Sequence, residues 1–505
     1  MEYLDLIDKY RDEMLVSLQE LVAIPSVQAE AVTDAEAGRL PFGRDVHEAF
    51  VYMLKKAEAD GFITKNVENY GGHIEWQAAE PPQAEAAAES EAQGKKSGTK
   101  KAEAPLPEPV TPEIMAIAAH VDVVPAGSGW KSDAPFAARI EDGRMYGRGV
   151  LDDKGPLISV YYAMKALKES GFEPRKTIRL ILGLDEENAW EGMKKYLEHE
   201  EMPDFGFTPD ADFPLINGEK GIADFRIARK FGKAAAGGLE LRSMKGGSAH
   251  NMVADYARAV VRSDKKDAYD EIKEKAAAYR EATGRKLNVK GAGKSLEISA
   301  TGVSAHGAEP EKGLNAISIL FDFLGQLAFA SDDVNDFIAF YNEYIGFETT
   351  GEKMGCGLSD EQSGALSFNV GLAGMDPGAG EIAVNVRIPV TFESFDVYDG
   401  MKPVLEKFNL GLVKEKYKAP IYQDPDSPMV RTMMEAYREI TGDAESKPRV
   451  IGGGTYSKLF KNMVAYGAVL PGHSDNMHQA NEVVDIEDIF TAANIYARAI
   501  AGLCG

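Results

Sequence analysis

Apolar residues at the start of the chain, Leu4, Ile7, Met14, Leu15, Leu18 and Leu21, recur at mixed three- and four-residue spacings. The spacing predicts an amphipathic helix that Pro25 stops. A second helical stretch spans about 46–59, and a short strand lies near 73–76. A βαβ rhythm follows: an apolar run over 114–119, an amphipathic helix over 156–170 opened by Gly155 and Pro156, and a second apolar run over 177–184. Continuous apolar runs of this length suit strands buried on both faces. Farther on the texture changes. Alternating strands over 294–301 and 365–370, with helices such as 316–330 between them, predict an α+β insertion. The last stretch returns to helix, a glycine-rich turn at 452–454, a strand over 463–469 and a terminal helix from Ile486. The expected architecture is an α/β domain with a mixed, mostly parallel sheet flanked by helices. It is built from 1–220 and 419–505 and interrupted by an inserted α+β domain over 221–418.

With 505 residues, 44% of them hydrophobic, the chain exceeds the size at which single cores stop growing, which agrees with two domains. The segment 78–113 is dominated by Ala, Glu, Lys, Pro and Ser and has no aromatic residue. Such a composition does not repay its ordering entropy by burial, and a disordered surface insertion without chemistry of its own is expected. Lys and Arg number 56 against 80 Asp and Glu, and the net charge of −24 repels phosphate backbones and anionic bilayers. Neither nucleic acid nor a membrane surface is therefore expected as a partner. The acidic, amphipathic N-terminus is unlike a signal peptide, and no apolar run reaches the length of a membrane span. Only Cys356 and Cys504 occur, so a cytoplasmic location is expected, and any metal must be held by His, Asp and Glu.

Such residues cluster where predicted strands end. In H-V-D, His120 and Asp122 stand at i and i+2 and so share one face of an extended chain, where a carboxylate can buttress an imidazole. The G-R-G-V-L-D-D-K-G turn delivers Asp152 and Asp153 to the start of a helix. One of them can cap that helix, which leaves the other free. Glu186 and Glu187 end the apolar run I-R-L-I-L-G-L, where adjacent carboxylates repel each other unless a cation lies between them. One can ligate and the other can move a proton. T-P-D-A-D-F-P offers Asp210 and Asp212 in a turn, and L-P-G-H-S-D-N-M-H-Q-A-N-E offers His473 and His478 in a loop. Imidazole and carboxylate donors together suit Zn²⁺, with Mn²⁺ or Co²⁺ as substitutes.

The ordered set H-V-D, G-R-G-x-x-D-D-K-G-P, L-D-E-E, P-D-A-D-F-P and M-H-Q-A-N-E resembles the co-catalytic zinc peptidases that include aminoacylase, carnosinase and succinyl-diaminopimelate desuccinylase. It is most similar to the PepV-type dipeptidases, and the likeness spans nearly the whole chain. The resemblance implies two Zn²⁺ per chain. His120, Asp152 and Asp210 would hold one; Asp152 as the bridge, Glu187 and His478 would hold the other. His478 is preferred to His473 because the family's last ligand stands four positions before a glutamate, as His478 stands before Glu482.

Glu186 would be the general base and Asp122 the residue that orients His120, and the Asp152–Asp153 peptide is expected to be cis. The larger domain would be catalytic and the insertion a lid. In the lid, S-A-H-N-M-V, G-V-S-A-H-G and V-N-V-R-I match family pieces. Asn251, His306 and Arg387 would accordingly contact substrate, His306 at the oxyanion. Arg387 and the turn with Gly453, Gly454 and Thr455 would hold the terminal carboxylate. The implied partner is a small peptide substrate, and the implied activity is hydrolysis of dipeptides with a free N-terminus, by a monomer. An N-acyl amino acid amidohydrolase would use the same metal core.

Overall fold

The computed structural model describes residues 2–79, 112–232, 237–265, 267–473 and 476–505. Most of the insertion expected to be disordered, 80–111, lies outside the described residues. The chain separates into two compact units. The first holds Met1–Asn217, Gln423–Arg449 and Thr455–Gly505, and the second Gly218–Tyr422 and Val450–Gly454. The second unit is therefore a few residues longer at each end than 221–418. It also takes 450–454, which the sequence had assigned to the other domain.

In the first unit, Met463–Ala465, Phe205–Thr208, Ile114–His120 and Thr177–Gly183 lie side by side in that order and run parallel. Gly71–Trp76 and Ile63–Val67 extend the sheet with antiparallel pairings. All seven residues of Ile114–His120 and of Thr177–Gly183 are buried, which accounts for their unbroken apolar sequence. Side chains alternate between faces. Met115, Ile117, Ala119, Ile178, Leu180 and Leu182 join a core with the helices Lys154–Ser170 and Ile486–Cys504. On the other face, Ala116, Ala118 and Ile181 meet Trp190, Met193, Tyr196, Tyr456 and Phe460.

The second unit is an eight-stranded antiparallel sheet. Its order is Lys286–Ala292, Ser295–Thr301, Tyr256–Ser263, Leu239–Gly246, Ser367–Asp376, Ala379–Ile388, Gly221–Lys230 and Gly411–Lys418. Alternate residues of strands such as Gly221–Lys230 turn inward to a core shared with the helices Ala268–Thr283, Ala316–Leu324, Asp332–Tyr344 and Ser394–Lys407.

Local expectations fail where one residue interrupts a continuous pattern. The first helix is two, Tyr3–Lys9 and Arg11–Ala23, broken at Tyr10. The helix expected over 316–330 stops at Leu324. A new one starts at Asp332, where the Ser331 hydroxyl accepts the N–H of Val334. The strand expected over 463–469 is two pieces, Met463–Ala465 and Ala468–Val469, separated at Gly467 with φ +87°.

Candidate metal centre

His120 is the last residue of its strand and is buried. Its Nδ1 donates to the backbone carbonyl of Asp122 at 2.9 Å, with an Asp122 carboxylate oxygen 3.4 Å away. That partner fixes the ring and leaves Nε2 to face 3.1 Å to Asp152 Oδ1 and 3.8 Å to Asp210 Oδ2. Asp122 does more than orient His120. Its two carboxylate oxygens accept the backbone N–H groups of Glu186 at 3.1 Å and Glu187 at 3.2 Å, and so join the ends of adjacent strands.

Asp152 and Asp153 follow a turn in which Gly149 has φ +92°, and the peptide between them is cis. A Cβ on Gly155 would stand 2.0 Å from the Val150 carbonyl oxygen, so the turn closes only around glycine there. Neither aspartate caps the helix, contrary to the sequence expectation. Asp153 holds the N-cap position but makes no capping hydrogen bond, and its Oδ2 instead accepts the N–H of His120 at 3.0 Å. Asp152 divides its oxygens between two imidazoles: Oδ1 faces His120, and Oδ2 lies 2.9 Å from His478 Nε2. His478 Nε2 is also 3.0 Å from Glu187 Oε2.

Two groups of donor atoms result, each within 4.8 Å of one another: His120, Glu186 and Asp210, and Asp152, Glu187 and His478. Asp153 Oδ1, Glu186 Oε1 and Glu187 Oε1 are buried without a hydrogen-bond partner among the described residues. Burial, reinforced by neighbouring carboxylates, raises the carboxyl pKa values of Glu186 and Asp210 far above the ordinary range and that of Asp153 to about 8. Burial also raises that of Glu187. Hydrogen bonds to Asp152 and Glu187 push the His478 imidazole up to about 10. For His120, burial pulls downward, but the hydrogen bonds to Asp122 and Asp152 outweigh it and the value ends well above normal. Crowded carboxyl oxygens without partners, beside two imidazole nitrogens aimed at one carboxylate, fit divalent cations between them.

Two of the alternatives have other partners. Asp212 pairs with Arg449 at 2.9 Å. His473 Nδ1 lies 2.6 Å from Asp488 and 3.7 Å from Asp485, in a separate group.

In the second unit, the backbone N–H of Gly307 donates to the Asn251 carbonyl at 2.7 Å, and His306 pairs with Met252, so Asn251 and His306 lie on adjoining segments. The N–H of Ala308 donates to His306 Nδ1 at 3.2 Å, which leaves the proton of the neutral ring on Nε2. Arg387 is buried rather than a surface charge. Its Nη1 donates to the Gly452 carbonyl at 2.6 Å and its Nε to Asn385 Oδ1 at 3.0 Å. Burial lowers its pKa to about 10. Gly453 and Gly454 continue that turn, whereas Thr455 belongs to the first unit, where its Oγ1 accepts the N–H of Ser457 at 3.2 Å.

Sequence reading missed the supports beneath the ligands. Asp185, the first acid of D-E-E, accepts the N–H groups of Glu191 and Gly192 at 2.5 and 3.1 Å and so secures the start of Glu191–His199. Burial raises its carboxyl to about 7. Lys154, fully buried, donates to the carbonyls of Leu21 and Ile24 at 2.9 and 2.7 Å and anchors the D-D-K turn to the end of Arg11–Ala23. A lysine inside an otherwise buried helix face was the available signal.

A family model described as peptidase family M20/M25/M40 matches residues 116–502, and the chain belongs to that family. It is accordingly an enzyme of a metal-dependent peptidase family, and the two donor groups, which hold the five expected ligands together with Glu186, are its candidate metal-binding clusters. Among its relatives, "Putative dipeptidase YtjP" of Bacillus subtilis (strain 168) is 35% identical over 493 residues, covering 97% of each chain. "Putative dipeptidase SSP1012" of Staphylococcus saprophyticus is 35% identical over 505 residues, covering 99% of each. Human carnosine dipeptidase 1 superposes with a TM-score of 0.53 at 14% identity, over 99% of this chain and 98% of that one. The aminoacylhistidine dipeptidase of Vibrio alginolyticus gives 0.54 at 16%, over 97% and 96%. These two structures speak for the fold alone, and they bear out the expected α/β domain with an α+β companion. Among the described residues no helix is long and apolar enough to cross a membrane.

Proposed function

We propose that the chain is a metal-dependent dipeptidase that cleaves dipeptides with a free N-terminus and a C-terminal carboxylate. The observation that carries the reading is the Asp152 carboxylate, with one oxygen 3.1 Å from His120 Nε2 and the other 2.9 Å from His478 Nε2. His120, Asp152 and Asp210 would hold one divalent ion, and Asp152, Glu187 and His478 a second, with Zn²⁺ the first choice for this donor set. Bound there, the ions would supply Lewis acidity, polarising the scissile carbonyl and acidifying water.

The chain's own residues supply the proton transfers. Glu186 has an unpartnered buried oxygen and a raised carboxyl pKa, so it can take a proton from the attacking water, retain it, and pass it to the leaving amine. His306, with its neutral proton on Nε2, is a donor suited to the oxyanion. Arg387, with the backbone N–H groups of Gly453 and Gly454, suits the terminal carboxylate, and Asn251 supplies a further amide. The names of the full-length relatives favour dipeptides over N-acyl amino acids. As the resemblance to the PepV-type dipeptidases implies, we further infer a monomer of 54.8 kDa, which a light-scattering mass tests.

A panel of free and N-acetylated dipeptides, assayed with zinc supplied, tests the substrate reading. Turnover confined to the free dipeptides is expected. Turnover confined to the acetylated ones would contradict it.

A further inference from the structure

Glu482 entered the sequence argument only as a landmark for His478, yet it is fully buried and surrounded by donors. Its Oε2 takes the Arg148 guanidinium at 2.6 Å. The N–H of Gly149 is shared between both oxygens at 3.1 Å, and Oε1 accepts the N–H groups of Leu151 at 2.8 Å and Asp152 at 3.2 Å. In return, the N–H of Gly147 donates to the Glu482 carbonyl at 3.0 Å, and Val483 pairs with Tyr146 just beyond. One side chain thus gathers the backbone of the turn that carries Asp152, while its own main chain is four residues from His478.

We propose that Glu482 is the positioning residue for the bridging carboxylate. With Arg148 as its counter-charge, it sets the orientation of Asp152 and locks the His478 segment to the Asp152 turn, so that both ligand groups are assembled before any ion arrives. The inference rests on the di-metal reading given above. Two features separate it from an ordinary buried ion pair. Three consecutive-turn N–H groups converge on one carboxylate, as in an anion nest, and the last of them belongs to Asp152 itself. Arg148 is held in turn by its backbone, N–H to the Pro135 carbonyl at 2.8 Å, and lies over the Trp130 ring at 5.6 Å.

The test measures Zn²⁺ binding to metal-free protein by titration calorimetry, with stoichiometry from elemental analysis and thermal melting as a control for folding. Glu482→Gln keeps the shape but halves the acceptor capacity and removes the charge. It should weaken the tighter or the second zinc step about 10- to 100-fold, the range found for groups that orient ligands, in protein that remains folded at the assay temperature. Glu75→Gln serves as the comparison, because Glu75 pairs with the buried Arg179 at 2.8 Å in the same unit and neither residue is a candidate ligand. It should lower the melting temperature and leave zinc affinity within twofold.

If Glu482→Gln does not fold, Arg148→Lys keeps the charge while losing the planar fork, and a several-fold loss of affinity is expected there. Wild-type protein that binds fewer than two ions would overturn the di-metal reading and the inference with it. Wild type binding two ions, with a folded Glu482 or Arg148 variant binding both as tightly, would overturn the inference alone.

Discussion

Asp122 Oδ1 accepts the backbone N–H of Glu186 at 3.1 Å, and this bond registers the end of the His120 strand against the end of the neighbouring strand. The same carboxylate takes the N–H of Glu187, so one side chain sets the candidate base and a candidate ligand relative to His120. Asp122→Asn keeps a single acceptor and leaves one of these N–H groups without its partner. A fall in kcat/KM of about 10- to 100-fold is expected, with a stability loss of about 1–3 kcal/mol. Steady-state kinetics at saturating zinc and urea unfolding check the two numbers, and unchanged kinetics would remove Asp122 from the positioning role.

Glu186 is assigned proton transfer rather than ligation. Glu186→Gln should lower kcat by about 10²- to 10⁴-fold, the usual value of a general base, while the protein still takes up two ions. Elemental analysis of the variant decides the matter. Metal content falling in step with activity would make Glu186 a ligand.

Metal uptake should release protons. Without an ion, burial and neighbouring carboxylates keep the ligands Asp210 and Glu187 protonated to higher pH than free carboxyls, and hydrogen bonds hold His478 protonated to about pH 10. A ligand must shed its proton to bind, so zinc affinity should rise as pH increases from 6 to 8. Calorimetry in buffers of different ionisation enthalpy counts the protons. Affinity that stays flat over that range would argue against this group of ligands.

A separate pH effect belongs to His73. Burial first, and the nearby Arg179 charge second, lower its pKa from 6.5 to about 4, and its Nδ1 lies 2.8 Å from the Tyr196 hydroxyl. The folded value is below the unfolded one, so the unfolded chain binds the proton first as the medium acidifies. The contribution of His73 is intact above about pH 6.5 and is lost as pH falls toward 4, in total about 3 kcal/mol. Urea midpoints of the parent and of His73→Gln, compared across that window, should show a shallower acid decline in the variant. Parallel curves would contradict the shift.

Much of this site could be read in the sequence because a ligand at a strand end leaves a compact trace. A buried parallel strand is an apolar run, and a polar residue just past it, His120 or Glu186, has no packing reason to be there. The breaks in regular structure left none. Gly467 lies between apolar residues that continue the strand pattern, and only the Phe213 ring and the Tyr496 hydroxyl, each 2.5 Å from where its Cβ would stand, show why glycine is required. The fate of Asp153 was hidden too. Helix capping was the local expectation, but the N–H it satisfies belongs to His120, 33 positions earlier. Glu482 and Asp185 act through backbone N–H groups, which every residue type presents, so no pattern of side chains announces their partners.

Crystals of the zinc-loaded protein, measured for anomalous scattering at the zinc edge, decide whether Asp152 is shared between two ions. Two peaks roughly 3.5 to 4 Å apart, one beside each carboxylate oxygen of Asp152, with His120 and His478 on opposite sides, are the predicted result. A single peak, or peaks remote from Asp152, would contradict it.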